Sequence, residues 1–299
     1  MIEAMHVTKA FGPILALNDM SCRISQGSIF GLVGSNGAGK STFLRLLSGV
    51  FKPEKGLLTV DGTSVFENPQ IKNRIFFVAD QTYFLHQASV TEMVRFYQLF
   101  YPRFSMQLYE KLKKMFPVDT TRRLGQMSKG MQRQVILMIG LACQPDYLLL
   151  DEAFDGLDPV VRQLVKRLLA DSVAGRGQTV IIASHNLREL EDICDHIGLL
   201  HQGGIVFEQE LDALKLGIQK IQVVFSTPTT REDLHDLTIL KYGNRGSMTE
   251  LVVRGEPDQV LERLKARGTV FLESLPLTLE EVFIQELEVA GYDVNTFLT

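Results

Sequence analysis

An α/β fold follows from three features of this 299-residue sequence. Short apolar runs bounded by polar residues recur through its first two-thirds, as the buried strands of a parallel or mixed sheet do. Stretches with apolar residues at helical spacing lie between these runs. One run leads into a glycine-rich loop, Gly34-Ser35-Asn36-Gly37-Ala38-Gly39-Lys40-Ser41, and a helix-like stretch follows it.

In chain order, residues 28–33 form the strand that enters the loop, and residues 42–47 belong to the helix that leaves it. A strand over 57–60 ends in the turn pair Asp61-Gly62. Further buried strands are expected over 75–78, 147–150 and 180–183. Residues 90–116 place Met93, Phe96, Tyr97 and Phe100 at helical spacing. Pro102 splits that stretch into two helices, because proline lacks the N–H and clashes with the preceding turn. The helical subdomain covers about residues 82–140. Further on, strands at 221–225 and 251–253 join helices over 257–266 and 278–288. Val260, Leu261 and Leu264 share one face of the first of these helices, and the whole reads as a small α+β unit.

Charge marks the division between the two parts. Residues 1–205 carry 22 basic and 19 acidic side chains, whereas residues 206–299 carry 9 and 16. The shift falls just after the turn-like cluster His201-Gln202-Gly203-Gly204. The expected domains are therefore 1–205 and 206–299.

Composition excludes several function classes. A chain that is 45% hydrophobic and 22% charged can bury a core, so global disorder is ruled out. A net charge of −4 without basic blocks gives no footprint for nucleic acid, and none is expected as a partner. Cys22, Cys143 and Cys194 stand far apart, which excludes a disulfide framework or a cysteine-rich zinc module and fits a reducing compartment. The start, Met1-Ile2-Glu3-Ala4, lacks the basic-then-apolar pattern of a secretory signal. No apolar stretch reaches the ~20 residues that a bilayer requires. The expectation is a soluble protein, or one that reaches a membrane only through a partner.

The glycine-rich loop matches G-x-x-x-x-G-K-[ST] in full and has the strand-before, helix-after setting the motif requires. Glycines let the backbone turn so that successive N–H groups point at phosphate oxygens. The helix that follows offers its positive end to the same anion. Lys40 brings a compact charge to the β- and γ-phosphates, and the Ser41 hydroxyl is a hard ligand for Mg²⁺. Residues 147–150 form a strand that ends in two acids, Asp151 and Glu152, which a parallel sheet delivers to its ligand-binding edge. Asp151 suits a water-mediated role at Mg²⁺. Glu152 suits polarising a water in line with the γ-phosphate.

Three further motifs complete an ordered set. Met127-Ser128-Lys129-Gly130-Met131-Gln132-Arg133-Gln134 lies between the first two, and Gly156-Leu157-Asp158-Pro159 and Ala183-Ser184-His185-Asn186 follow. Together the five resemble the nucleotide-binding subunit of an ATP-binding cassette (ABC) transporter, over about residues 2–205. The resemblance implies a P-loop nucleotide-hydrolase fold of the ABC ATPase type, with a helical insertion and a small C-terminal domain. It implies ATP and Mg²⁺ as cofactors. It implies a head-to-tail dimer, with a second copy or a related ATPase subunit, that sandwiches two ATP molecules. Ser128 and Gly130 would then meet the γ-phosphate held by the other subunit. The usual Leu-Ser-Gly-Gly-Gln is here Met127-Ser128-Lys129-Gly130-Met131, so the serine and second glycine remain. His185 takes the place of the switch histidine, and Asp158 that of the aspartate that crosses the dimer. Phe11 falls where an aromatic ring stacks on adenine, and Thr42 follows Ser41 at the phosphates. The resemblance also implies a glutamine after a strand that ligates Mg²⁺ and senses the transport domain; the aligned position here is Asp80, with Gln81 one residue later, and either side chain supplies an oxygen for the role.

The resemblance also implies a separate polytopic membrane permease and a place on the cytoplasmic face of the plasma membrane. Tyr83, Phe84, Phe96 and Tyr97 are candidates to meet that permease or to fill the core of the insertion. The tail segment Leu279-Glu280-Glu281-Val282-Phe283-Ile284 is similar to that of ATPase subunits serving ABC-2-type exporters. The reading is an exporter ATPase with a peptide or drug-like cargo. The competing readings are a ribosome-associated ATPase, a DNA-repair or chromosome ATPase, and a regulatory module that uses ATP as a dimer switch.

Overall fold

The computed structural model describes residues 1–275 and 277–289. The chain divides into two compact units, one from Met1 to Glu208 and one from Gln209 onward.

The first unit contains ten strands: β1 (Ile2–Phe11), β2 (Ile14–Ile24), β3 (Ile29–Val33), β4 (Lys55–Val60), β5 (Thr63–Ser64), β6 (Ile75–Val78), β7 (Tyr147–Asp151), β8 (Thr179–Ser184), β9 (His196–His201) and β10 (Gly204–Glu210). Six of them form one sheet in the order β10-β9-β3-β8-β7-β6. Within it β3 pairs in parallel with β8 and β9, and β7 with β8 and β6. Every residue of β3, β7 and β8 is buried, which is why 147–150 and 180–183 read as apolar runs inside their strands. His201-Gln202-Gly203-Gly204 is the turn between β9 and β10, with Gln202 and Gly203 both at positive φ.

The second sheet is antiparallel and runs β2-β1-β4-β5. Its first two strands are not legible as alternation, because bulges shift the register and hold His6 and Asp19 at φ of 53° and 52°. Helix α1 (Lys40–Leu47) packs against both sheets. Its Phe43, Leu44 and Leu47 share a core with Ile2 and Val60 of one sheet and Phe30, Leu149 and Ile181 of the other. Gly49 at φ +69° follows its C-cap.

After α2 (Pro69–Lys72) and β6 comes the helical insertion. Helix α3 (Val90–Phe100) starts in a capping box of Ser89 and Glu92. Pro102 separates it from α4 (Met106–Met115), which Ser105 caps. Helix α5 (Lys129–Ala142) docks on β6, where the absence of a side chain on Gly140 makes room for the Phe76 ring. Phe76 also meets Tyr97 and Tyr101 at centroid distances of 5.2 and 5.3 Å. Its full burial contributes about 1.5–3 kcal/mol. Tyr97 thus joins the core of the insertion, whereas Tyr83 is 81% exposed. Helices α6 (Pro159–Arg176) and α7 (Leu187–Glu191) complete the unit.

The second unit opens with α8 (Leu211–Leu216). It is built on an antiparallel sheet of β11 (Ile218–Phe225), β12 (Thr238–Arg245), β13 (Met248–Arg254) and β14 (Thr269–Leu275), in the order β12-β13-β11-β14. Helix α9 (Pro257–Lys265) places Val260 and Leu264 in a core with Ile221, Val223, Leu251 and Val253. Helix α10 (Leu279–Val289) carries the tail segment.

Candidate functional site

Strand register assembles the site. Val33 pairs with Ser184 across β3 and β8, and Asp151 pairs with Ala183 across β8 and β7. The next residues, Gly34, His185 and Glu152, therefore leave the sheet side by side at its C-terminal edge, where parallel sheets bind ligands. Residues separated by more than a hundred positions become neighbours through three adjacent strands.

The phosphate loop turns on glycine. Gly37 and Gly39 lie at φ of +82° and +112°, and a Cβ on Gly39 would fall 2.5 Å from the Ala16 carbonyl oxygen. A Cβ on Gly34 would fall on the Leu200 carbonyl. Helix α1 begins at Lys40 with neither a side-chain cap nor an acidic residue in its first turn. Its first N–H groups are thus left for an anion. Lys40 is buried, and its ammonium donates to the Gly34 carbonyl at 2.7 Å and the Ser35 carbonyl at 3.2 Å. Burial lowers the Lys40 pKa, and the Glu152 carboxylate at 3.5 Å partly offsets that. The protein's own groups only partly compensate the buried cation, and a phosphate would complete the match.

The Ser41 hydroxyl donates to Asp151 Oδ1 at 3.0 Å. Asp151 is fully buried, and its Oδ2 has no hydrogen-bond partner among the described residues. Burial raises its pKa, although the Ser41 hydrogen bond opposes the shift. A buried carboxylate with one idle oxygen beside a hydroxyl is a hard-oxygen donor set, which fits Mg²⁺.

Glu152 sits at φ +47°, a conformation that non-glycine residues adopt at a cost. Its amide donates to the Ala183 carbonyl at 2.9 Å. That turn carries its carboxylate between two groups: Oε1 lies 3.5 Å from Lys40 Nζ, and Oε2 lies 3.0 Å from His185 Nδ1. The four side chains Lys40, Asp151, Glu152 and His185 thus lie together at one edge of the sheet. Gly34 to Thr42 surround them on the loop and the first turn of α1.

Ser128, Gly130 and Asp158 gather elsewhere on the unit. Ser128 caps α5, its hydroxyl accepting from the Met131 amide at 3.2 Å. Asp158 caps α6, accepting from the amides of Val160 and Val161 at 3.0 Å each. Gly130 touches the Gly156 backbone. A cleft of about 610 Å³ runs beside them, lined by Asp80, Gln81, Lys129, Arg133, Asp155 and Gly156 among others. Gln81 is exposed there, while Asp80 Oδ1 pairs with Arg133 at 3.3 Å. Arg133 lies inside the Met127–Gln134 motif, and no role for it follows from that motif; arginines on helices are mostly exposed, yet this one is buried. Phe11 is 41% exposed and lies edge-on to Phe51 at 5.2 Å.

A family model described as "ABC transporter" matches residues 17–155. The ABC transporter ATP-binding protein YtrB of Bacillus subtilis (strain 168) is 31% identical over 95% of this chain and 97% of its own length. The Nod factor export ATP-binding protein I of Rhizobium sp. (strain N33) is also 31% identical, over 95% of this chain and 96% of its own length. Among solved structures, the dimeric, post-hydrolysis cassette MJ0796 bound to ADP and Pi is 25% identical, with a TM-score of 0.64 over 71% of this chain and 99% of that one. The chain belongs to the ATP-binding proteins of ABC transporters, and it is an ATPase.

Proposed function

We propose that this ATPase powers a membrane exporter as one of two copies that close head to tail on two ATP molecules. One observation carries the reading: the Glu152 carboxylate stands between the Lys40 ammonium and the His185 imidazole, at 3.5 and 3.0 Å. An acid held against the phosphate-binding lysine is placed to act on a water at the terminal phosphate.

In this reading the loop amides from Gly34 to Ser41 and Lys40 hold the β- and γ-phosphates, and Phe11 stacks on the adenine. Ser41 and Asp151, with Gln81 or Asp80, would hold Mg²⁺, which would supply positive charge to neutralise that on the phosphate oxygens. Glu152 orients a water and accepts its proton as the water oxygen bonds to the γ-phosphorus. The bond from that phosphorus to the β–γ bridging oxygen breaks, and ADP leaves with the electron pair. His185 fixes Glu152 and meets the γ-phosphate. Ser128, Gly130 and Asp158 face the nucleotide of the other copy.

Among the described residues, no helix is long and apolar enough to cross a membrane. The transport pathway then belongs to a separate polytopic permease, which holds the ATPase at the cytoplasmic face of the plasma membrane. The exposed Tyr83, Leu99 and Phe100 are suited to that contact. The export named in relatives supports outward transport, with a peptide or drug-like cargo chosen by the permease. Glu152→Gln tests the reading: turnover falls by about 100-fold or more while ATP binding persists, and an ATP-dependent dimer accumulates. Hydrolysis by that variant at the native rate overturns the assignment.

A further inference from the structure

Arg133 lies in the second turn of α5, only 7% exposed. Its guanidinium makes four contacts to two other elements. Nη1 donates to the carbonyl oxygens of Ala79 at 2.9 Å and Asp151 at 3.4 Å. Nη2 donates to the carbonyl of Asp80 at 2.7 Å and to Asp80 Oδ1 at 3.3 Å.

These acceptors mark a particular place in the sheet. Strands β6 and β7 pair in register up to Val78 and Leu150. Ala79 and Asp151 are the next residue on each, where the ladder ends. A single planar fork bonds both carbonyls and so closes the gap that the missing rung leaves. Arginine suits this task because its five donors are fixed in one plane, whereas lysine offers one point charge.

The fork therefore ties together three pieces with different duties. One is the Asp80-Gln81-Thr82 segment after β6. Another is the end of β7, which carries Asp151 and Glu152. The third is α5, which starts at Ser128. We propose that Arg133 is a positioning residue that couples the two ATP sites of the dimer. The inference rests on the head-to-tail reading above. In that reading the Ser128 end of α5 meets the ATP of the other copy, while Asp151 and Glu152 serve the ATP of their own. A helix is a rigid element, so engagement at Ser128 is felt at Arg133, and through its fork at the backbone that aims Asp151 and Glu152. Contiguous hydrogen-bonded elements of this kind carry coupling between sites.

The test uses the full chain, with ATPase rate measured against ATP concentration for the native protein, Arg133→Met and Arg133→Lys. The native chain is expected to show a Hill coefficient above one. Arg133→Met lowers kcat by about 10-fold or more, leaves KM for ATP within about 3-fold, and brings the Hill coefficient toward one. Arg133→Lys recovers part of both kcat and cooperativity, because one ammonium still reaches part of the carbonyl set. Urea midpoints and ATP binding for each variant report the folded fraction. If Arg133→Met does not fold, the Hill coefficient of Arg133→Lys decides: a value below the native one supports coupling, and a native value overturns it. Native kcat and Hill coefficient in Arg133→Met overturn the proposal, as does a loss of rate that only tracks the folded fraction. A native Hill coefficient of one, with no ATP-dependent dimer of Glu152→Gln, overturns the dimer reading and the coupling with it. A cooperative native chain with an equally cooperative Arg133→Met overturns the coupling alone.

Discussion

Gly130 and Gly156 pack backbone to backbone, so that a Cβ added to Gly130 would fall on the carbonyl oxygen of Gly156. The contact joins the start of α5 to the loop that precedes α6. Both belong to the face that the proposed dimer would close. A carbonyl oxygen cannot rotate away as a side chain can, so relief requires one loop to shift. Gly130→Ala is therefore expected to leave ATP binding by the isolated chain intact and to reduce steady-state ATPase activity by about 10- to 100-fold, the cost of misplacing a reacting group by about an ångström. Equal turnover by variant and native chain would show that the face tolerates the shift.

Gly140 plays a comparable part inside the fold. A Cβ there would lie 2.8 Å from Cε1 and 2.9 Å from Cδ1 of Phe76. The Phe76 ring is buried and already in contact with Tyr97 and Tyr101. It has little room to retreat. Overpacking of this kind costs about 1–3 kcal/mol, so Gly140→Ala should lower the unfolding free energy by that amount, seen as a lower urea midpoint with an unchanged slope. An unchanged midpoint would mean that α5 and β6 can separate without cost.

How far the sequence revealed the structure depends on the range of each interaction. The phosphate loop was legible because its residues are consecutive and its glycines answer to local geometry. Strands β3, β7 and β8 were legible because burial on both faces keeps their central residues apolar, with polar side chains only at the ends of β7 and β8. Strands β1 and β2 were not, since the bulges at His6 and Asp19 break the alternation that identifies a half-buried strand. Arg133 was invisible for a different reason. Its partners Ala79 and Asp80 are 54 and 53 positions away, and nothing in its own neighbourhood announces them. Motif spacing also left Asp80 and Gln81 as alternatives; they sit differently, Asp80 paired with Arg133 and Gln81 exposed in the cleft.

Phe11 offers a test of the nucleotide's other end. Its ring is partly exposed, steadied edge-on by Phe51, and Lys9 Nζ lies 5.2 Å from its centroid. A stacked aromatic pair adds about 0.5–1.5 kcal/mol beyond buried area, so Phe11→Ala should weaken ATP binding by about 3- to 10-fold. Phe11→Tyr keeps the π-face and should bind as the native chain does. Fluorescence titration with a labelled nucleotide separates the two outcomes, and equal affinity for all three chains would remove Phe11 from the site.

Asp151 gives a prediction with a definite sign in pH. Burial raises its pKa in the folded chain against the pull of the Ser41 hydrogen bond. The folded state thus holds the proton more tightly than the unfolded state does. As pH rises from the ordinary carboxylate value through the raised folded value, the nucleotide-free fold loses stability, and above that window the loss is complete. Asp151→Asn has no such proton to lose. Without nucleotide, its melting temperature should match that of the native chain near about pH 4 and exceed it by a few degrees at neutral pH. With ATP and Mg²⁺ the order reverses, because the native chain gains binding stabilisation that the variant, which lacks the carboxylate, largely forgoes. ATPase activity of the variant should fall by about 100-fold or more. A difference in melting temperature that does not change with pH would mean that the Asp151 charge is fully compensated in the nucleotide-free chain. The idle Oδ2 would then be no evidence for a cation.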